Sequence, residues 1–217
     1  MIKLFLVRHG KTVWNQEHRL QGAWENSPLL KNDLQRIYAL GHRLAKQKFA
    51  AIYSSPLKRS FETAQYLAKV MKYSQPIHVA EALREFDFGV MEGKRDEDLP
   101  QKYQFQVANF FKRPEEFNGK AIHGESYQQA AQRTKLFVVS LVDFYPNNSK
   151  IICVSHGGIL NIMINALLQI PIKDYRKHGG ITNASLTRLD VNDDYTAHLI
   201  DFNNTDHLKN LDSSDTI

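Results

Sequence analysis

The sequence predicts an α/β fold, a three-layer α/β/α sandwich with a mostly parallel central sheet. Short apolar runs alternate along the chain with longer segments of helical periodicity, a pattern typical of parallel sheets covered by helices on both faces. The 217 residues are enough for one large domain with a buried core, and 42% of them are hydrophobic. We therefore expect residues 1–217 to form a single domain.

The first predicted strand is the apolar run from Ile2 to Val7, which contains one lysine. Residues 10–28 lack periodicity and carry asparagine, glycine and proline, so they predict a long polar loop of the kind that is usually functional. Apolar residues then recur at helical spacing and predict a helix over 30–47. Residues 50–53 have the pattern of a second strand.

A second helix is predicted to begin at Ser54-Ser55-Pro56, with serine as the cap and proline at the first helical position. This start places Arg59 in the first helical turn, just beyond the second strand. A short strand over 77–80 follows. The segment from about 96 to 125, rich in aromatic and charged residues in its first part, predicts a small helical insertion.

The second half of the chain contains the clearest amphipathic helix, which begins at Tyr127 and ends before Pro146. Lys150 to Ser155 then predicts a strand, and the following His-Gly-Gly leads into an apolar core helix. Two further strands, over 184–191 and 195–202, are expected to form a hairpin. The polar tail from about residue 203 is expected to be loosely ordered.

The composition narrows the class of protein. One cysteine excludes an internal disulfide, and no zinc-type spacing of cysteines and histidines is present. With no signal-peptide or membrane-spanning pattern, we expect a cytoplasmic protein without membrane contacts. The 28 basic residues exceed the 23 acidic ones but are dispersed, which favours small anions over nucleic acid as partners. Nothing in the pattern predicts an oligomeric state.

Three polar sites each follow a predicted strand directly: Arg8-His9, Arg59 and His156. In a parallel sheet, ligands bind outside the carboxyl ends of the strands. If the strands are neighbours, these side chains meet at one edge of the sheet although they are far apart in the sequence.

The residue types at this edge suit phosphoryl transfer, which requires a nucleophile and positive charge around the phosphate. A neutral His9 has a lone pair for the attack. Arg8 and Arg59 carry planar donor forks for phosphate oxygens, and His156 adds a further donor if it is protonated. Glu85 is the candidate proton donor, because its apolar neighbours favour the protonated carboxyl by desolvation. This set matches a phosphate dianion with neither a metal nor a cofactor.

Each feature alone also has a structural explanation. A lone histidine at a strand end is more often structural than catalytic, and Glu85 alone would be a surface carboxylate. Gly157 lets the backbone approach closely and begins a helix whose N–H groups favour an anion. Cys153 lies inside an apolar strand with no arginine shortly after it, which disfavours a cysteine-dependent phosphatase.

Taken together, the motifs resemble those of the histidine phosphatase superfamily, in its phosphoglycerate mutase-like branch. The matching motifs follow the family order: Leu6-Val7-Arg8-His9-Gly10-Lys11-Thr12-Val13-Trp14-Asn15, Arg19-Leu20-Gln21-Gly22, Ser54-Ser55-Pro56-Leu57-Lys58-Arg59, Leu83-Arg84-Glu85-Phe86-Asp87-Phe88-Gly89, Gly124-Glu125-Ser126 and Val154-Ser155-His156-Gly157-Gly158. They cover nearly the whole chain.

The resemblance implies a role for each matching residue. His9 would carry the phosphoryl group and Glu85 would donate the proton. The phosphate pocket would be lined by Arg8, Arg59 and His156. The residues implied to reach phosphate or substrate, with the glycines of their motifs, are Asn15, Gln21, Gly22 and Gly157.

Mutases resemble each other in an Arg-His-Tyr-Gly segment that grips a second anion, and this chain has no such segment. The sequence therefore predicts a phosphatase that hydrolyses small phosphorylated metabolites through a phosphohistidine. A phosphoglycerate mutase and a catalytically silent protein that binds a phosphorylated ligand are the alternatives. Lys112 and Arg113 either contact a second anion or face water, and the aromatic residues of the insertion either line a lid or simply pack.

Overall fold

The computed structural model describes residues 1–212, and the strands among them form one six-stranded sheet. The strands are β1 (Ile2–Arg8), β2 (Ala51–Ser54), β3 (Ile77–Val79), β4 (Lys150–Ser155), β5 (Leu186–Val191) and β6 (Ala197–Asn204). Their order is β3-β2-β4-β1-β5-β6. The first four pair in parallel, whereas β5 and β6 are antiparallel additions at one side. The prediction of a mostly parallel central sheet is confirmed.

Helices cover both faces of this sheet. The α-helices are α1 (Val13–Gln16), α2 (Leu34–Leu44), α3 (Lys58–Met71), α4 (Gln101–Lys112), α5 (Tyr127–Phe144), α6 (Gly157–Leu167) and α7 (Lys209–Asp212). Short 3₁₀ helices span Lys31–Asp33, Glu81–Leu83, Gly89–Met91, Asp96–Asp98, Pro114–Glu116, Gly119–Ile122, Ile172–Asp174 and Asp206–Leu208. None of the helices in the described part of the chain is long and apolar enough to span a membrane.

The side chains of β1 alternate between two hydrophobic cores, as the pleat of a strand requires. Leu4 and Leu6 pack in one core with residues of α5 and α6. Phe5 and Val7 pack in the other core with residues of α2 and α3. The central strand is therefore buried on both faces, and the predicted α/β/α layering is confirmed.

The predicted helix start at Ser54-Ser55-Pro56 is wrong by about two residues. The N-cap of α3 is Leu57. The reason is that the N–H of Ser55 still donates to the carbonyl of Val154, at 3.0 Å, and so continues the pairing of β2 with β4. Arg59 nevertheless lies in the first turn of α3.

The insertion over 96–125 is helical, as predicted, and α4 is its main element. It encloses a separate aromatic cluster in which Phe86, Phe110 and Tyr127 are fully buried. The tail differs from the expectation in its first part, because Leu208 is buried and His207 contacts the carbonyl of Ala184 at 2.9 Å. The rest of the predicted tail, residues 213–217, lies outside the described residues.

Candidate active site

His9 follows β1 at the carboxyl edge of the sheet, and only 3% of its surface is exposed. Its ring Nδ1 lies 2.7 Å from the carbonyl of Gly10. A carbonyl only accepts, so Nδ1 carries the proton and Nε2 keeps its lone pair. Burial lowers the pKa of His9 well below its ordinary value, and the charges of Arg59 and Arg8 lower it further. His9 is thus a neutral imidazole with a free nitrogen at neutral pH.

The backbone around His9 is held on several sides. The N–H of His9 donates to the carbonyl of Ser155 at the end of β4, at 2.9 Å. The N–H of Gly10 donates to the hydroxyl of Thr63 on α3, at 3.1 Å. The side-chain amide of Asn183 donates to the carbonyl of His9 at 3.1 Å. These contacts fix the backbone at His9 and Gly10 from three separate segments.

His156 follows β4, and its ring centroid lies 5.1 Å from that of His9. Nε of Arg59 donates to its Nδ1 at 3.1 Å. Because Nδ1 accepts this bond, the proton lies on Nε2, which contacts the hydroxyl of Ser55 at 2.7 Å. Burial lowers the pKa of His156 well below its ordinary value, and Arg59 lowers it further. His156 is therefore neutral, and it is not the protonated donor that the sequence left open.

Arg59 is 1% exposed. Besides His156, its guanidinium donates to the carbonyls of Gly22 at 2.8 Å and Glu25 at 2.9 Å. Burial lowers its pKa to about 10, against an opposing effect of Glu85 and Glu92, so Arg59 stays charged at neutral pH. The polar loop after β1 thus orients this cation.

Glu92 in turn holds that loop. Its carboxylate accepts from the N–H groups of Ala23 at 2.7 Å, Trp24 at 3.1 Å and Glu25 at 3.3 Å. A Cβ at Gly22 would lie 2.0 Å from Oε1 of Glu92, so a side chain there would displace this carboxylate from its backbone donors. Sequence reasoning missed this role of Glu92, because nothing in the local pattern shows which loop a carboxylate reaches.

Glu85 extends from the segment after β3 towards the N-terminus of α6. Its Oε1 accepts from the N–H groups of Phe86 and Ile159, both at 2.8 Å, and its Oε2 accepts from Gly158 at 3.1 Å. A Cβ at Gly158 would lie 2.8 Å from Oε1. These three backbone donors hold the Glu85 carboxylate in place at the N-terminus of α6.

A cavity of about 220 Å³ has both His9 and Glu85 in its wall. Its other lining residues include three arginines, Arg8, Arg19 and Arg176. Among the described residues, Glu85 is the only carboxylate that lines it. The cavity is therefore electropositive and suits a phosphate dianion.

Three of the remaining predicted residues reach the same cavity, whereas Gly22 does not line it. Asn15, Gln21 and Gly157 line it. The amide oxygen of Gln21 accepts from the hydroxyl of Thr12 at 2.9 Å, which leaves its NH₂ group as the donor. Arg59 and His156 are absent from the described lining residues. The ring of His156 contacts that of His9, and Arg59 donates to His156.

A larger cavity, of about 340 Å³, shares only Glu85 with the first and does not contain His9. Two arginines line it, Arg84 and Arg133, and each already pairs with a glutamate, at 2.9 Å and 2.6 Å. The cavity beside His9 is the better match for a phosphate group.

The structure also shows which residues of the insertion line the cavity and which face solvent. Phe110 and Phe111 line the cavity beside His9, whereas Phe105 is exposed. Lys112 and Arg113 are exposed and do not line it, and Arg113 pairs with a glutamate of its own segment at 3.0 Å. Within residues 1–212, no group of three or more His, Cys, Asp or Glu side chains is arranged to hold a metal ion.

The fold and the site together define the class of protein. It is an α/β protein with a neutral, buried histidine, His9, near the charges of Arg8 and Arg59 at the carboxyl edge of a mostly parallel sheet. The histidine phosphatase superfamily (branch 1) matches residues 4–205. The chain belongs to this family.

The proteins to which this chain is similar are not all named for the same activity. The chain is 31% identical over 193 residues to a probable phosphoglycerate mutase, GpmB, of Salmonella paratyphi A, which covers 88% of this chain and 85% of that protein. Bacillus stearothermophilus YhfR superposes with a TM-score of 0.88 and 30% identity, covering 96% of this chain and 100% of the other. A mutant phosphoserine phosphatase from Entamoeba histolytica, in complex with phosphoserine, superposes with a TM-score of 0.81 and 29% identity, covering the same shares.

Proposed function

We propose that this protein is a phosphatase that hydrolyses small phosphate monoesters through a phosphohistidine on His9. The observation that carries the proposal is the state of His9: a buried, neutral imidazole whose Nδ1 is fixed by Gly10 and whose Nε2 is free. Arg8 and Arg59 supply the positive charge that the phosphate oxygens need, so the mechanism requires no metal ion.

In the first step, Nε2 of His9 attacks phosphorus and the bond between phosphorus and the ester oxygen breaks. Arg8 and Gln21 line the cavity as donors for the phosphate oxygens. The leaving alkoxide takes a proton from Glu85.

In the second step, water attacks the phosphohistidine. Glu85, now a carboxylate, takes the proton of the water, and inorganic phosphate leaves while His9 returns to its neutral form. Nε2 of His156 faces the hydroxyl of Ser55 at 2.7 Å. Its neutral ring positions Arg59, since Nδ1 accepts from Nε of Arg59.

A phosphoglycerate mutase is the second candidate, favoured by the name of the Salmonella relative. Such an enzyme would return the phosphoryl group of His9 to a second hydroxyl instead of water. Conversion of 3-phosphoglycerate to 2-phosphoglycerate by the purified protein distinguishes the two functions.

The proposal is tested with the purified protein and its His9→Ala variant on a panel of phosphate monoesters, with and without a chelator. We expect phosphate release by the wild type in both conditions and none by the variant. Equal release by the variant contradicts the proposal. Release that stops with the chelator contradicts the metal-independent mechanism.

A further inference from the structure

Three residues that line the cavity beside His9 each carry a buried donor without a hydrogen-bond partner within the described residues: Nε of Arg8, Nε2 of Gln21 and Nη2 of Arg176. Buried donors without partners are costly, and folded proteins keep few of them outside functional sites. Arg8 and Gln21 belong to the proposed phosphate site. Arg176 lines the same cavity, but none of the proposed steps uses it.

Arg176 is held in a fixed orientation on an aromatic wall. Its Nε donates to the carbonyl of Phe110 at 3.1 Å and to the hydroxyl of Tyr127 at 3.0 Å. Its guanidinium lies 4.2 Å from the ring centroid of Phe110 and 5.6 Å from that of Phe111. A rigid guanidinium with an unpartnered Nη2 is well suited to bind an acidic group.

Arg176 and Arg8 occupy different walls of the cavity. Arg8 donates to the carbonyl of Ile181 and lies against Gly157, where a Cβ would be 3.1 Å from its Cζ. Arg176 instead follows the 3₁₀ helix after α6 and contacts α4 of the insertion. A phosphate beside His9 would therefore meet a different cation from the remainder of the substrate.

Aromatic side chains alone in this wall would favour an apolar alcohol. A cation among them changes that preference, because an anionic group is needed to satisfy its free donor. A planar fork binds a carboxylate or a phosphate with two parallel hydrogen bonds, and a neutral alcohol offers no such partner.

We propose that Arg176 binds a second anionic group on the substrate, so that preferred substrates are phosphate monoesters whose alcohol carries a carboxylate or another phosphate. This inference rests on the proposed phosphatase function. It assigns substrate selection to a residue after α6, outside the motifs that resemble those of the family.

The test compares matched substrates in the wild type and in Arg176→Met. O-phosphoserine and O-phosphoethanolamine differ by one carboxylate, and propanediol bisphosphate and its monophosphate differ by one phosphate. In the wild type we expect kcat/KM to be roughly 10- to 100-fold higher for the more anionic member of at least one pair. The pair that shows the effect identifies the group.

In Arg176→Met the preference should disappear, because kcat/KM falls further for the more anionic member of the pair than for its partner or for p-nitrophenyl phosphate, which carries no second anion. Arg176→Lys keeps the charge without the fork and should retain part of the preference. Arg113→Met is the matched control, because Arg113 is exposed nearby but does not line the cavity. It should keep the full preference.

The outcomes separate the inference from the function on which it rests. Turnover of p-nitrophenyl phosphate without any preference in the wild type overturns the inference and leaves the phosphatase intact, whether or not Arg176→Met folds. A preference that survives in Arg176→Met also overturns it. If no ester is turned over, the phosphatase fails, and calorimetric titration of the same pairs into His9→Ala decides whether a second anion is bound.

Discussion

Replacement of Glu85 by glutamine tests the proposed proton donor. Oε1 accepts two backbone hydrogen bonds at 2.8 Å, from Phe86 and Ile159, and Oε2 accepts one at 3.1 Å, from Gly158. A glutamine amide keeps its oxygen towards the first two donors, but its NH₂ group then faces the third. We expect the free energy of unfolding to fall by about 1–3 kcal/mol. Each kcal/mol lowers Tm by roughly 2–4 °C in a chain of this size.

The effect on activity depends on the leaving group. An alkyl phosphate needs a proton on its leaving oxygen, so its kcat/KM should fall about 100- to 10,000-fold in Glu85→Gln. Nitrophenolate leaves without a proton, so kcat/KM for p-nitrophenyl phosphate should change far less. The value of kcat for p-nitrophenyl phosphate should still fall, because Glu85 also takes the proton of the attacking water.

The assay measures kcat and kcat/KM for glycerol phosphate and p-nitrophenyl phosphate in wild type and Glu85→Gln, at a temperature where both proteins are folded. Circular dichroism melting provides the folding control. An equal loss of kcat/KM for both esters would refute the proton-donor role, because it would show that Glu85 acts through structure or phosphate binding.

Three further predictions concern the neighbouring groups. The pKa of His9 is held well below its ordinary value. In the pH profile of kcat/KM, corrected for substrate ionisation, the midpoint of the acid limb should therefore lie well below pH 6.5. A midpoint at pH 6.5 or above contradicts this prediction. His9 and His156 are neutral when folded and take a proton when unfolded, because their folded pKa values are depressed. The free energy of unfolding is therefore at its full value above about pH 6.5 and decreases below that pH, by up to about 1.4 kcal/mol per pH unit for each histidine. Urea unfolding of wild type and His156→Asn at several pH values should show a shallower decrease in the variant. Gly22→Ala should displace the loop that orients Arg59, because the new Cβ would lie 2.0 Å from Oε1 of Glu92. We expect kcat/KM to fall roughly 100-fold. An unchanged kcat/KM would show that the loop adapts and would contradict this prediction.

The sequence was sufficient for the framework that positions the site. The apolar runs that became β1 and β4 have strong local patterns, and parallel pairing brings the residues after them together. His9 and His156 could therefore be placed at one edge from sequence reasoning alone. Glu85 was found through its motif and aromatic neighbours.

Other parts of the site depend on contacts between distant segments. Ser55 has the residue type of a helix cap, and only the pairing of β2 with β4 directs its hydroxyl to His156. The neutral state of His156 depends on which nitrogen meets Arg59. Arg176 lies in a polar stretch with no pattern of its own, and its role depends on packing against Phe110.

Detection of the phosphoenzyme tests the central claim most directly. The wild type and Glu85→Gln are mixed with p-nitrophenyl phosphate, quenched within milliseconds under conditions that preserve phosphohistidine, and digested for mass spectrometry. We expect one phosphoryl group on Nε2 of His9, at higher occupancy in Glu85→Gln, where water attack is slowed, and none in His9→Ala. Turnover with the phosphoryl group on another residue, or with no phosphoenzyme in either protein, would contradict the account.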